Sequence, residues 1–300
     1  MPTASANLVS DPAFRGNFCD YVDRSRVYVP NGNDPAAPPA WSINQSDGAG
    51  TNRWGLFSSF SQLQNGEQVM NTASEQLVRQ ASQGVRLATS GSAAYNGGCR
   101  VAGQGWLHLL LVDDFLRTGP GSLPAPHTLL TVGRQYSIDL ACDFQVINSD
   151  SQAHCTADPN NPNMFPLTLL LSGLDAAGNI EPVNADFTNR LWYQIPLYDN
   201  RNRQSTQQIM RDQHSFPIFI ESSADFFTPS THDGGPRSIR ANLKDRLVSA
   251  IARVTAQYGG NVDSMRWGIE HVNIGYETYG AWTSETRIDY LQLTMTGDWG

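Results

Sequence analysis

Lysine is almost missing from this chain: Lys244 stands alone among 300 residues, and arginine supplies the other positive side chains. Charged residues make up 16% of the sequence, against roughly 25% in an ordinary soluble protein, and the net charge is −8. An acidic chain with one lysine repels a phosphate backbone, which argues against nucleic acid as a partner. No run of eighteen apolar residues occurs, so no membrane span is expected. Residues 1–10 lack the basic and apolar segments of a secretory signal, which leaves either a cytosolic protein or a leader that this sequence does not contain. A Walker sequence, a GxGxxG after a strand and a GxSxG elbow are all missing, which disfavours nucleotide-dependent and serine-hydrolase chemistry. His214, His232 and Asp233 sit in turn-rich sequence with no HExxH or comparable spacing, so no transition-metal site is expected. The sequence shows no internal repeat.

Cysteine is scarce and shows no CxxC spacing, which removes a zinc or redox motif. Of the three ways to pair Cys19, Cys99, Cys142 and Cys155, the expected one is Cys19–Cys99 with Cys142–Cys155. The second bond would close a short polar loop, worth about 3 kcal/mol in the chain-entropy model. The competing reading makes Cys142 a small buried hydrophobe on the core-facing side of its strand. Disulfides would point to an extracellular or periplasmic compartment.

What is abundant is alternation. In residues 135–146, Tyr136, Ile138, Leu140, Cys142, Phe144 and Val146 alternate with Gln135, Ser137, Asp139, Ala141, Asp143 and Gln145. Successive side chains of a strand point to opposite faces, so this pattern predicts a sheet with one buried and one polar face. Further strands are expected at 85–89, 106–112, 167–174, 191–198, 217–221, 265–274 and 287–295. Turn clusters at 118–121, 158–163 and 233–236 separate some of them. Ile239, Leu243, Leu247, Ile251 and Val254 recur at helical spacing and Gly259 follows, which predicts an amphipathic helix over 238–258 covering the sheet. A second, shorter helix is expected at 72–83. Residues 28–66, rich in Pro, Gly, Asn and Ser, read as a long irregular surface excursion. With 40% apolar residues the whole chain can share one core. The fold expected is a single mainly-β domain over 1–300, an antiparallel sandwich with one covering helix.

Three pieces, in their order, resemble the galactose-binding-like carbohydrate-binding modules, which are jelly-roll sandwiches. Asn7, Leu8, Val9, Ser10, Asp11, Pro12, Ala13 and Phe14 are similar to the start of the first strand of such modules. Thr131, Val132, Gly133, Arg134, Gln135 and Tyr136, followed by alternation to Leu140, are similar to a middle strand. Arg287, Ile288, Asp289, Tyr290, Leu291, Gln292 and Leu293 are similar to the last. The chain departs from that pattern in being about twice as long, in its helix, and in Arg15, which stands where an acid often follows the opening Phe. The resemblance implies a jelly roll, a carbohydrate partner and a structural calcium to which Asp11 and Asp289 would contribute. No other cofactor is expected.

Strand parity selects the candidate binding face. On 191–198, Leu191, Tyr193, Ile195 and Leu197 share the core side and leave Trp192, Gln194 and Tyr198 opposite; on 265–274, Arg266 and Glu270 share the polar side. Flat aromatic rings with amides and charged groups suit a sugar, whose C–H faces stack while its hydroxyls take hydrogen bonds. The segment Gly275 to Trp282 is expected to be a hairpin loop that offers Tyr276, Tyr279 and Trp282. These residues either pack back on the sheet or meet a ligand. Polysaccharide cleavage is the alternative, with Glu270 as general acid or base and Asp139, Asp143, Glu277 and Glu285 as further carboxyls. Asp139 with Glu270, drawn from two strands, is the pair considered for it. Asp139 and Asp143 alone would stand about 13 Å apart, too far for that chemistry. His108 is expected to be a hydrogen-bonded core histidine, and His271 to point away from Glu270. A third reading is a structural or assembly protein, since jelly rolls serve that purpose as well. Carbohydrate binding on the face of Trp192, Gln194, Tyr198, Arg266 and Glu270 is the first reading, ahead of cleavage and assembly, and the oligomeric state is left open.

Overall fold

Alternation becomes strand along most of the described chain, and the strands pair into two sheets that bury their apolar faces against each other. The computed structural model describes residues 3–48, 56–101, 104–115, 131–151, 162–212 and 214–298. Cys155, the turn cluster at 118–121 and residues 158–161 of another lie outside them.

Sheet A runs β15 (Arg237–Asn242), β10 (Gln135–Ser151), β17 (Trp282–Asp298), β8 (Val85–Ser90), β7 (Glu75–Arg79), β6 (Gln68–Asn71) and β5 (Ser61–Gln62), with β1 (Thr3–Asn7) also paired to β17. Sheet B runs β13 (Gln208–Arg211), β14 (Pro217–Ile220), β12 (Arg190–Asp199), β11 (Asn163–Gly173), β16 (Trp267–Thr278), β9 (Leu107–Asp114), β4 (Pro39–Asp47), β2 (Asn17–Asp20) and β3 (Val27–Tyr28). Pairing is antiparallel except between β2 and β4 and between β12 and β14. The result is the jelly-roll β-sandwich expected, with a one-turn helix, α1 (Gly91–Ala94), and one long helix, α2 (Lys244–Tyr258), which packs against it. Ile138, Leu140, Cys142 and Phe144 from sheet A meet Leu167, Leu169, Tyr193 and Ile195 from sheet B in the common core.

Of the three pieces that resemble a carbohydrate-binding module, two form neighbouring strands, β10 and β17. The first does not open a strand, because β1 ends at Asn7 and Phe14 is buried at φ 57° in the loop beyond. A bulge at Asp289 lets Ile288 and Leu291, an odd number of residues apart, both face the core.

Several local expectations are corrected. The helix begins at Lys244 rather than 238, because residues 237–242 pair with the edge of β10 as β15 and bury Ile239 there. Asn242 Oδ1 then accepts the Lys244 N–H at 2.9 Å and starts the helix. No helix forms at 72–83: β7 is the middle strand of a β6–β7–β8 meander. The irregular excursion at 28–66 contains β4, a sheet strand that buries Trp41 and Ile43. Residues 275–282 are not a hairpin, since β16 belongs to sheet B and β17 to sheet A, and residues 279–281 cross between them. Both expected disulfide pairings are overturned: Cys19 and Cys142 are free, buried thiols on different sheets. Cys19 Sγ lies 3.3 Å from Ser42 Oγ, and burial pushes the Cys142 thiol pKa far up. Among the described residues no helix is long and apolar enough to cross a membrane.

Candidate functional site

The outer face of sheet B carries a cleft of about 1080 Å³. Register explains its lining. Cross-strand neighbours place Ser46 of β4, His108 of β9, Glu277 of β16, Met164 of β11 and Asp199 of β12 in one row. Thr168, Gln194 and Asn273 belong to a second row, and Leu170, His271 and Trp192 to a third. The six residue steps from His271 to Glu277 set these outer rows about 20 Å apart, a length for several linked rings.

The two ends carry aromatic surfaces. At one, Trp106 stacks on Tyr279 with centroids 5.7 Å apart and planes 15° apart, and the Arg100 guanidinium lies 5.2 Å from the Tyr279 ring centre. Tyr95 pins this corner from below: its hydroxyl donates to Thr278 O at 3.2 Å and accepts the Leu107 N–H at 3.0 Å, which ties the end of β16 to the start of β9. At the other end Trp192 is half-buried, with His271 edge-on at 5.6 Å and Phe216 edge-on at 6.4 Å.

Glu277 is the distinctive group between them. No side chain among the described residues hydrogen-bonds to its carboxyl. Burial, with the negative charge of Asp212 as the second cause, pushes its pKa up to about 7. Asp212 follows β13 in the turn toward β14, where its Oδ1 accepts the N–H groups of His214 and Phe216, both at 2.8 Å. Its charge therefore reaches Glu277 from across the cleft. Asp199, two strands from Glu277, is engaged by Arg201 through two bonds of 2.9 and 2.7 Å. His108, opposite Glu277 on β9, contacts Asn44 Oδ1 through Nε2 at 3.2 Å, and burial lowers its pKa to about 4.

The structure brings together Trp192, Gln194 and Tyr279 from the expected binding set, and Glu277 from the carboxyls. Tyr198 does not join them: a bulge in β12 opposite Phe165 and Pro166 turns its side chain into the core, where it bonds to Ser149 of β10 and His232 packs on its ring at 4.7 Å. The other candidates fall elsewhere. Arg266 is exposed in the 3₁₀ turn that precedes β16. A bulge between residues 269 and 271 moves Glu270 off its expected register, beyond the cleft, where it accepts Ser172 Oγ–H at 2.5 Å. The same bulge brings His271 to the outer side of the sheet with Glu270, contrary to the simple alternation. Asp139 is exposed on the outer face of sheet A, so the sandwich itself separates it from Glu270. Asp143 and Glu285 lie on sheet A too, paired with Arg240 and Arg86. Trp282 and Tyr276 are buried, the latter edge-on to Phe165 at 4.7 Å. His108 is a buried, hydrogen-bonded histidine as expected, but on the cleft side of its strand.

Asp11 Oδ2 accepts the Gly16 N–H at 2.6 Å, and Asp289 pairs with Arg287 at 3.0 Å. No cluster of three His, Cys, Asp or Glu that could hold a metal occurs among the described residues. Sequence reasoning missed Trp106 and Asp212 as site residues. Parity along 106–112 was a usable signal for Trp106, which shares its side with His108. Asp212 carried none, because only the path of a turn brings its charge near Glu277.

No family model matches the chain, and no curated protein matches it. Among solved structures it is similar to a thermostable cellulase derived from Cel12A of Rhodothermus marinus, at 9% identity and a TM-score of 0.43, over 85% of this chain and 99% of that one. It is likewise similar to endoglucanase 3 of Trichoderma harzianum, from family GH12, at 11% identity and a TM-score of 0.39, over 87% and 100%. A family 12 xyloglucanase from Bacillus licheniformis gives 11% identity and a TM-score of 0.39, over 85% and 100%. Likenesses this distant assign no activity, and the site has to be judged on its own geometry.

Proposed function

We propose that the cleft on sheet B binds a polysaccharide chain and hydrolyses a glycosidic bond within it, with Glu277 as the general acid. The observation that carries this reading is a single carboxyl with its pKa at about 7, set between aromatic surfaces in a long open cleft. A carboxyl of that pKa still holds a proton near neutrality and can give it to the leaving oxygen as the bond breaks. Asp212 supplies the second carboxyl that such a reaction needs on the far side of the sugar ring. Trp106 with Tyr279 at one end and Trp192 at the other hold rings by stacking, while Gln194 and Asn273 offer amides to hydroxyls between them. An extracellular or periplasmic location belongs to the same proposal, because a polysaccharide does not cross a membrane to reach an enzyme.

Incubation with a panel of soluble polysaccharides, followed by assay of new reducing ends and by affinity-gel retention, tests it. The wild-type protein is expected to release ends from a polysaccharide that retains it. Glu277→Gln is expected to lose about 100- to 10,000-fold in rate with retention kept. Retention by wild type without any release of ends overturns the hydrolytic reading and leaves a binding protein.

A further inference from the structure

Glu75 of β7 points into the space between the sheets, on the same side as Thr89 of β8, and is only 2% exposed. Across the sandwich stands Gln45 of β4, 1% exposed, whose Nε2 donates to Glu75 Oε2 at 2.9 Å. The backbone N–H of Ser46 also donates to the carboxyl. Each of the two side chains has one oxygen left over: Glu75 Oε1 and Gln45 Oε1 are both buried without a hydrogen-bond partner. An ionised carboxylate and an amide oxygen are both acceptors, so neither can serve the other. One proton on Glu75 Oε1 removes both vacancies together.

We infer that Glu75 is a neutral carboxylic acid in the folded protein and closes a two-bond ring with Gln45. In that ring Glu75 Oε1–H donates to Gln45 Oε1 while Gln45 Nε2–H donates to Glu75 Oε2. The surroundings agree. Among the described residues no cation acts on the carboxyl, Thr89 faces it from β8, and Asp47 of β4 adds negative charge; with burial as the main cause, its pKa is held well above the usual carboxylate range. The ring is a clasp between the sheets with a consequence for the cleft. Asn44 and Ser46, which flank Gln45, point the other way and line the cleft, where Asn44 holds His108. Ionisation of Glu75 would place an unbalanced charge directly behind that part of the floor.

The test combines a carbon-13 NMR titration of the Glu75 carboxyl in wild type with denaturant unfolding of wild type and Glu75→Gln from about pH 5 to about pH 9. An amide at position 75 keeps both bonds of the ring and cannot ionise, and Glu277 titrates in both proteins, so its effect cancels. The carboxyl carbon is expected to keep its protonated shift at neutral pH. The unfolding constant of wild type relative to Glu75→Gln is expected to rise by up to about tenfold per pH unit until Glu75 ionises, then to level off. An ionised shift at about pH 6, or parallel unfolding curves for the two proteins, overturns the inference. If Glu75→Gln does not fold, the wild-type titration decides alone.

Discussion

Glu277 and Asp212 show how far one side chain's chemistry depends on groups remote in sequence. Burial is the larger cause of the raised Glu277 pKa and the Asp212 charge the smaller. Asp212→Asn is therefore expected to lower that pKa part of the way toward the ordinary value. The alkaline limb of the pH profile of kcat/KM, read on the small residual activity left once the second carboxyl is removed, should move to lower pH, because the acid now loses its proton earlier. Asp212→Glu should keep the limb in place. A limb that stays put in Asp212→Asn would show that the aspartate charge does not reach the acid. Parity alone located Trp192 and Gln194 on the cleft side of β12, where that strand alternates regularly, but it failed at Tyr198, which a bulge against β11 turns into the core. The same rule failed at Glu270, where one bulged residue slips the alternation and no side chain in the sequence announces it.

Strand β16 carries most of the site's burden, because it sets His271, Asn273 and Glu277 in successive rows and crosses to sheet A at residues 279–281. Gly275 interrupts that line of side chains, and packing demands it. A Cβ there would stand 2.1 Å from Leu109 O and 2.8 Å from Leu110 Cα of β9. Gly275→Ala is expected to destabilise the protein by about 1–3 kcal/mol through the forced shift of β9 against β16. Denaturant unfolding measures the loss, and the displaced backbone should also lower turnover, since Glu277 lies two residues away. Helix α2 teaches a complementary lesson. Its periodicity was visible over 238–258, yet Ile239 serves a strand. The edge of β10 offers hydrogen bonds that six residues can take as β15, and Asn242 then caps what remains.

Across the molecule, a carboxyl kept protonated for chemistry works against stability. Glu277 binds its proton more tightly folded, at about 7, than unfolded, at about 4.5, so the folded state is relatively favoured below the lower value and penalised as pH rises between the two. Above both the penalty is constant, at most about 3 kcal/mol and less where water reaches the group. Glu277→Gln is thus expected to be more stable than wild type at about pH 8 and nearly equal to it at about pH 4, as measured by urea midpoints at the two pH values. Equal midpoints at both would mean that the carboxyl titrates normally. Loss of activity with a gain in stability in one variant would mark the cleft as a place where stability gives way to function.

Two-residue alternation and the spacing of apolar residues were enough to establish a sandwich with a covering helix, because which face of a strand is buried is a local property written into consecutive residues. The cleft was not local. Ser46, His108, Glu277, Met164 and Asp199 lie far apart in the chain and share a row only through strand pairing, while bulges and turn paths decide which carboxyls meet. The free thiols follow the same logic, since which cysteines can approach one another depends on how the sheets stack. Burial of a face is fixed by neighbours in sequence, but the company a side chain keeps is fixed by neighbours in space.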